Sequence, residues 1–283
     1  TAIAAALASR SIDVTSLGIQ ELALADERKL GIVGLTNTAK GPTEFGVISE
    51  AWAQKAGITA NSSFEAKIKA LRGAKVGLGA PGSTTTTVAL LTFRNYGLEP
   101  GKDVTTVNLG SGPAQVSAFK QGQIDAFFWI PPLTHTSGGI LADFRDAPMW
   151  NGVNWSGWVT TSDFLRDHPD TVEAFLRAMI KAWNYTLKFP DAASQIAARA
   201  LPQLAVDPVA FKAAFDADYK SWTAGMRFTQ KGYLKALSIA SNNTGKAVQS
   251  TIATATNAGP TEKAASQVGI SIGPWKPDAA KKK

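Results

Sequence analysis

The chain has no cysteine among its 283 residues. That excludes disulfides, thiol chemistry and cysteine-based metal sites together. Histidine is nearly as scarce: His135 and His168 stand far apart, without metal-ligand spacing. No apolar run approaches the ~20 residues that span a bilayer, and the start carries no signal-peptide pattern. Also missing are a Ser/His/Asp order, a paired-carboxylate motif and the Gly-Lys-Ser/Thr of a P-loop. No segment interleaves basic residues with aromatics as nucleic-acid binders do. A cysteine-free composition fits an oxidising compartment.

What is present is the make-up of a globular protein. Hydrophobic residues are 45% of the chain and charged residues 18%. The length suits two domains, or one large one, with a sizeable core. The net charge of +7, partly from Lys281–Lys283, gives mild help toward anionic ligands or surfaces. His168 precedes Pro169 at a predicted helix start and reads as surface.

The chain is organised around Lys75 to Leu91, KVGLGAPGSTTTTVALL. It reads strand, tight turn, helix. Ser83 and the following threonines come just before an apolar helix face, which is a helix N-terminus signal. Such an end carries partial positive charge and free backbone donors, so it suits a carboxylate, sulfonate, nitrate or phosphate. A capped helix without a ligand is the plainer reading. The stretch also contains a literal G-x-G-x-x-G at Gly77, Gly79 and Gly82. A dinucleotide site would need an acid at the end of the next strand. That strand, Val104–Leu109, ends in Asn108 and Leu109, while Glu99 and Asp103 precede it.

Further strands are expected at Ile12–Leu17, Gly31–Leu35, Glu44–Ser49, Ile124–Ile130 and Gly157–Thr161, alternating with helices. The alternation predicts an α/β protein with mainly parallel sheets. From Asp163 the chain reads as mostly helical, and the polar tail after Asn242 as partly irregular. Asp13 and Asp125 fall at strand entries, where structural roles are expected. Residues Ala6–Val14 line up with Ala118–Ala126, each a helix end, a turn, then Ile-Asp entering a strand. Ligands in open α/β sheets bind beyond the carboxyl ends of strands. That rule selects Leu17–Gln20, Ala80–Thr85, Gly110–Pro113 and Trp129–Pro132. The predicted ligand-binding residues are Leu17, Gly18, Gln20, Pro81, Ser83, Thr84, Thr85, Gly110, Trp129 and Pro131. Trp129 is either an aromatic wall or core. No arginine falls in these loops, which favours monoanions or neutral rings over phosphates.

Three runs carry a family likeness: LRGAKVGLGAPGST, then GLEPGKDVTTVNLGSGPAQVSAFKQGQIDAFFWIPP, then VTTSDFLRDHPDTVEAFLRA. Together they resemble the substrate-binding proteins of ABC importers, in the group that takes nitrate, sulfonates, taurine and thiamine-pyrimidine precursors. The resemblance runs from about Ala2 to Asn242. It implies a two-lobed, type II periplasmic-binding-protein fold with two hinge strands, at Phe45–Ser49 and Trp158–Thr161, and a ligand cleft between the lobes. The lobes are expected at residues 1–50 plus 157–283 and at residues 51–156. It further implies an extracytoplasmic, monomeric solute-binding protein that works with permease subunits in the membrane, without cofactor, metal, nucleic acid or catalysis. Family members begin with a strand and helix before the segment matching Ala2–Val14, so the chain is expected to start inside that unit. Arg10 stands where the family has glycine. Sulfonate binders often carry a polar or acidic group where Leu17-Gly18-Ile19 stands. Two alternatives remain: a pyrimidine-synthase-like enzyme of the same fold, whose cysteine-rich motif is missing here, and an extracytoplasmic sensor or partner-binding domain.

Overall fold

The computed structural model describes residues 2–219, 221–223 and 225–272; Lys281–Lys283 lie outside these. The chain begins α1 (Ala2–Ala8), β1 (Val14–Gly18), α2 (Ile19–Glu27), β2 (Ile32–Gly34) and β3 (Phe45–Ile48). It continues with α3 (Glu50–Ala56), α4 (Phe64–Lys69), β4 (Lys75–Gly79), α5 (Thr84–Asn95), β5 (Thr105–Gly110) and α6 (Gly112–Lys120). Next come β6 (Ala126–Trp129), α7 (Leu133–Thr136), β7 (Ile140–Asp143) and β8 (Ser156–Thr161). The rest is helical: α8 (Ser162–Asp167), α9 (Pro169–Lys188), α10 (Pro190–Ala200), α11 (Pro208–Tyr219), α12 (Gln230–Thr244), α13 (Ile252–Ala255) and α14 (Gly259–Gln267).

These elements form two compact units. One takes Thr1–Gly41, Gly152–Ala193 and Ser221–Lys283; the other takes Pro42–Asn151 and Ser194–Lys220. The first holds a three-stranded sheet, β1-β8-β2, antiparallel throughout, with Val14 opposite Thr160 and Val33 also opposite Thr160. Its helical core is built on α9. Val172, Leu176 and Ile180 repeat one turn apart, as an amphipathic helix requires. They pack with Leu35, Met226, Ala264 and Ala265.

The second unit holds a five-stranded sheet, β5-β4-β6-β3-β7. Strands β5, β4 and β6 are parallel, while β3 runs antiparallel to β6 and β7. All four residues of β3 are buried, as suits an interior strand, whereas β5 lies at the edge and fully buries none of its residues. Val47, Ile124 and Phe127 form one core cluster of this unit with Ala118 and Phe119 of α6. Serine hydroxyls cap its helices: Ser49, Ser63, Ser83 and Ser111 each accept a first-turn N–H, of α3, α4, α5 and α6 respectively.

The sheets differ from the sequence expectation in direction. Most strands were expected to be parallel, yet β1, β2 and β8 are all antiparallel pairs and β3 reverses the second sheet. Strand β3 sits inside the five-stranded sheet between β6 and β7, and β8 is the centre of the three-stranded one. The stretch after Asn242 is more regular than expected, since α13 and α14 follow there. The internal repeat is structural. Ser11 N–H donates to Ala6 O and Gln123 N–H to Ala118 O; Arg10 N–H donates to Leu7 O and Gly122 N–H to Phe119 O. Both helices thus end in the same left-handed cap. Asp125 has the structural role expected of it: its carboxylate accepts the Lys75 N–H at 2.7 Å, stapling β6 to β4.

Candidate ligand site

In the second unit, the carboxyl ends of β4, β5, β6 and β7 lie at one end of the sheet, together with the amino end of the reversed β3. This is where ligands bind in open α/β sheets. Helices α5 and α6 both start there, immediately after β4 and β5. Ser83 has extended backbone as the N-cap of α5, accepts the Thr86 N–H at 3.3 Å and donates to Thr86 Oγ1 at 3.1 Å. Thr85 is buried and Ser83 and Thr84 are half-buried, while Pro81 is exposed in the turn before them. Gly110 is exposed with φ 77°, turning the chain from β5 into the Ser111 cap.

Trp129 joins these two helix starts. A β-carbon at Gly79 would sit 3.2 Å from Trp129 Cζ3 and 3.1 Å from Ser83 Oγ. One at Gly112 would sit 2.6 Å from Trp129 Cε2. At Gly112 only glycine lets the indole lie so close to the backbone, while at Gly79 a side chain would need its neighbours to give by a few tenths of an ångström. The ring also packs on the core around Phe127, yet stays half-buried. The structure thus gives Trp129 the core contacts expected of one of its two readings, with part of the ring left exposed. The same packing answers the glycine fingerprint: the space at Gly79 that a pyrophosphate would approach is filled by this indole. Pro131, half-buried, follows Trp129 at the same sheet end.

The remaining sites expected from sequence, Leu17, Gly18 and Gln20, belong to the first unit, at the end of β1 and the start of α2. Leu17 and Gln20 are buried and Gly18 is half-buried as the N-cap of α2. Beside them sequence reading missed Glu21. Burial pushes its carboxyl above the usual carboxylate range, while a hydrogen bond from the Gly18 N–H favours the ionised form. The signal was legible: an acid three residues after an N-cap reaches back to it.

Four residues at the second unit's sheet end were also missed. Glu44 is buried just before β3. The His135 ring meets the Phe45 ring edge-on at 4.7 Å. Burial holds the His135 imidazole below its ordinary value; Asp143 opposes that and Arg145 reinforces it. Arg145 lies over the Phe45 ring, 5.3 Å from its centre, and its Nε donates to Asp143 Oδ1 at 2.8 Å. An arginine is thus present, but its charge is matched by Asp143. No residue pattern announced this cluster, because β3 and β7 come together only in the folded sheet. Among the described residues no group of three or more His, Asp or Glu could hold a metal ion, and no helix is long and apolar enough to cross a membrane.

The α/β architecture matches solved periplasmic binding proteins. The alkanesulfonate-binding protein SsuA from Xanthomonas axonopodis pv. citri, bound to MOPS, superposes with a TM-score of 0.63 at 16% identity, covering 90% of this chain and 83% of that one. The aliphatic sulphonate-binding SsuA of Escherichia coli gives 0.66 at 18% identity, covering 89% and 81%. The nitrate-binding NrtA of Synechocystis PCC 6803 gives 0.64 at 14% identity, covering 94% and 78%. At such identities the likeness is one of fold.

Sequence carries the assignment further. The NMT1-like family model matches residues 7–201, and the chain belongs to that family. The taurine-binding periplasmic protein of Escherichia coli (strain K12) is 29% identical over 194 residues, which is 67% of this chain and 55% of that protein. The chain therefore matches just over half the length of that relative.

Proposed function

We propose that this chain is the solute-binding component of an ABC importer, extracytoplasmic, capturing a small organic monoanion or a pyrimidine-like ring and handing it to membrane permease subunits. The observation that carries the reading is the Trp129 indole lying on Gly79 and Gly112, between the starts of α5 and α6. A helix start supplies N–H donors and partial positive charge for an acid group. The indole supplies a flat apolar face beside it. The sulfonate-, taurine- and nitrate-binding names of its relatives support the same class of solute. Arg145 is already paired with Asp143, so dipoles and hydroxyls carry the anion, which favours a single charge.

In this reading the two units are the lobes of the fold, and Leu17–Gln20 is the first unit's share of the proposed solute contacts. A solute that touches both favours the closed form, and only that difference in affinity drives closure. The chain binds without transforming its solute. The test is a thermal-shift screen of alkanesulfonates, taurine, nitrate, carboxylates and pyrimidines. A true ligand at a hundredfold excess over its Kd stabilises by about 2.7 kcal/mol. Discrete hits accompanied by compaction in solution scattering are expected. A screen with no small-molecule hit and no compaction would favour a sensor or partner-binding role, and turnover of a bound pyrimidine would favour the enzyme.

A further inference from the structure

Helix α6 turns Gly112, Gln115, Ala118 and Phe119 inward. Ala118 and Phe119 belong to the apolar core with Val47, Ile124 and Phe127. Gln115 continues that same face and is fully buried, at 0% exposure. Neither its Oε1 nor its Nε2 meets a hydrogen-bond partner among the described residues. Buried amides are nearly always satisfied, and an unmet one is destabilising. A leucine or methionine would extend the core without that penalty, so the amide calls for a purpose.

Its placement indicates one. Side chains on a helix lean toward the preceding turn. That directs Gln115 toward Gly112, the residue on which Trp129 lies. The first turn of α6 is itself poor in donors. Pro113 has no N–H, Ala114 N–H goes to Ser111 Oγ, and Gln115 N–H goes to Ser111 O. Helix α5 spends the same two N–H groups, Thr86 on Ser83 Oγ and Thr87 on Ser83 O, but has no proline in its first turn; α6 has the unspent amide in addition.

We propose that Gln115 is a specificity-determining residue, held in reserve to hydrogen-bond a second polar group of the solute across Trp129 from its acid group. An amide presents a donor and an acceptor side by side. The matching solute is a monoanion that also carries an amino, hydroxyl or amide group a few bonds from its acid. The inference rests on the solute-binding reading above.

The test is Gln115→Met, similar in length but apolar. Calorimetry compares 2-aminoethanesulfonate and 2-hydroxyethanesulfonate with propane-1-sulfonate, and β-alanine with butanoate. The unmodified protein should bind the substituted acids about three- to tenfold more tightly than the alkyl ones. The variant should bind both alike, with alkyl-acid affinity kept, and its unliganded Tm should hold or rise by about 2–4 °C. Survival of the preference in the variant overturns the proposal. So does a fall in unliganded Tm, which would make the amide a structural one bridged by buried water. Failure of every acid to bind the unmodified protein refutes the solute-binding reading itself, and the Tm comparison separates that case.

Discussion

Arg10 and Gly122 occupy the same place in two copies of one helix–turn–strand unit, and both have left-handed backbone, with φ of 60° and 68°. Gly122 adopts it freely, whereas Arg10 pays the steric penalty of a β-carbon, about 1–2 kcal/mol. What Arg10 has in return is an exposed ion pair with Asp163 at 3.0 Å, a kind of contact that contributes little. Arg10→Gly should therefore stabilise the protein, raising Tm by about 2–4 °C, as differential scanning calorimetry would record. A fall would mean that the ion pair outweighs the backbone strain.

The cap and the binding role of Ser83 separate in a single substitution. Ser83→Ala loses the hydroxyl that accepts the Thr86 N–H. A lost N-cap destabilises by about 1 kcal/mol. The same change should weaken binding of a screened acid by about tenfold or more, since the α5 start is where the acid is expected to sit. Unchanged affinity with a lowered Tm would leave Ser83 a cap alone.

Gly112→Ala tests the indole's seat. The new methyl would collide with Trp129, so the ring must move off the start of α6. Near-UV circular dichroism should change, and affinity for aromatic or pyrimidine-like ligands should fall more than affinity for nitrate. Equal losses for both would remove Trp129 from the list of ligand contacts.

The buried hydroxyl of Tyr233 gives an alkaline signature. It lies 2.6 Å from Ser250 Oγ, which in turn donates to Asp26 at 2.6 Å. Burial, aided by the Asp26 charge, pushes the Tyr233 phenol up to about 12. A raised folded value means that its stabilising share is intact below the ordinary value near 10 and is lost as pH rises toward 12. Tyr233→Phe should lower stability by about 1 kcal/mol at neutral pH and flatten the decline between pH 10 and 12. Urea titrations across that range would show it.

His135 works at the other end of the scale. Its imidazole titrates below the ordinary value because burial disfavours the charged form. A lowered folded value gives stability that is present above about pH 6.5 and is lost as pH falls below it. His135→Gln should make the acid limb shallower in a Tm-versus-pH series. An identical slope would mean that the ring is solvated enough to protonate in place.

The legible parts of the fold were those written locally. The β4 turn and α5 announce themselves through Gly82, Ser83 and the threonines, since punctuation and caps need no distant partner. Strand β7 was not legible, because four residues after Gly138-Gly139 become a strand only by pairing with β3. The reversal of β3 was hidden for the same reason, and with it the approach of Glu44, Phe45, His135 and Arg145 to the sheet end. Helix α14 could have been found from Pro260 at its start and Glu262 in its first turn. In sequence, Gln115 looks like any polar residue on a helix surface; its burial is a tertiary fact.

The order of strands sets an order of assembly. Every strand of the five-stranded sheet lies between Phe45 and Asp143, so all of its pairing partners precede β8 in the chain. The other sheet has β8 at its centre, and β1 and β2 pair with β8 rather than with each other. Neither early strand can be satisfied until Ser156–Thr161 has emerged, more than a hundred residues later in synthesis. Distant pairings of this kind form slowly. On the ribosome the second unit's sheet would thus close first, while β1 and β2 keep open edges until β8 arrives.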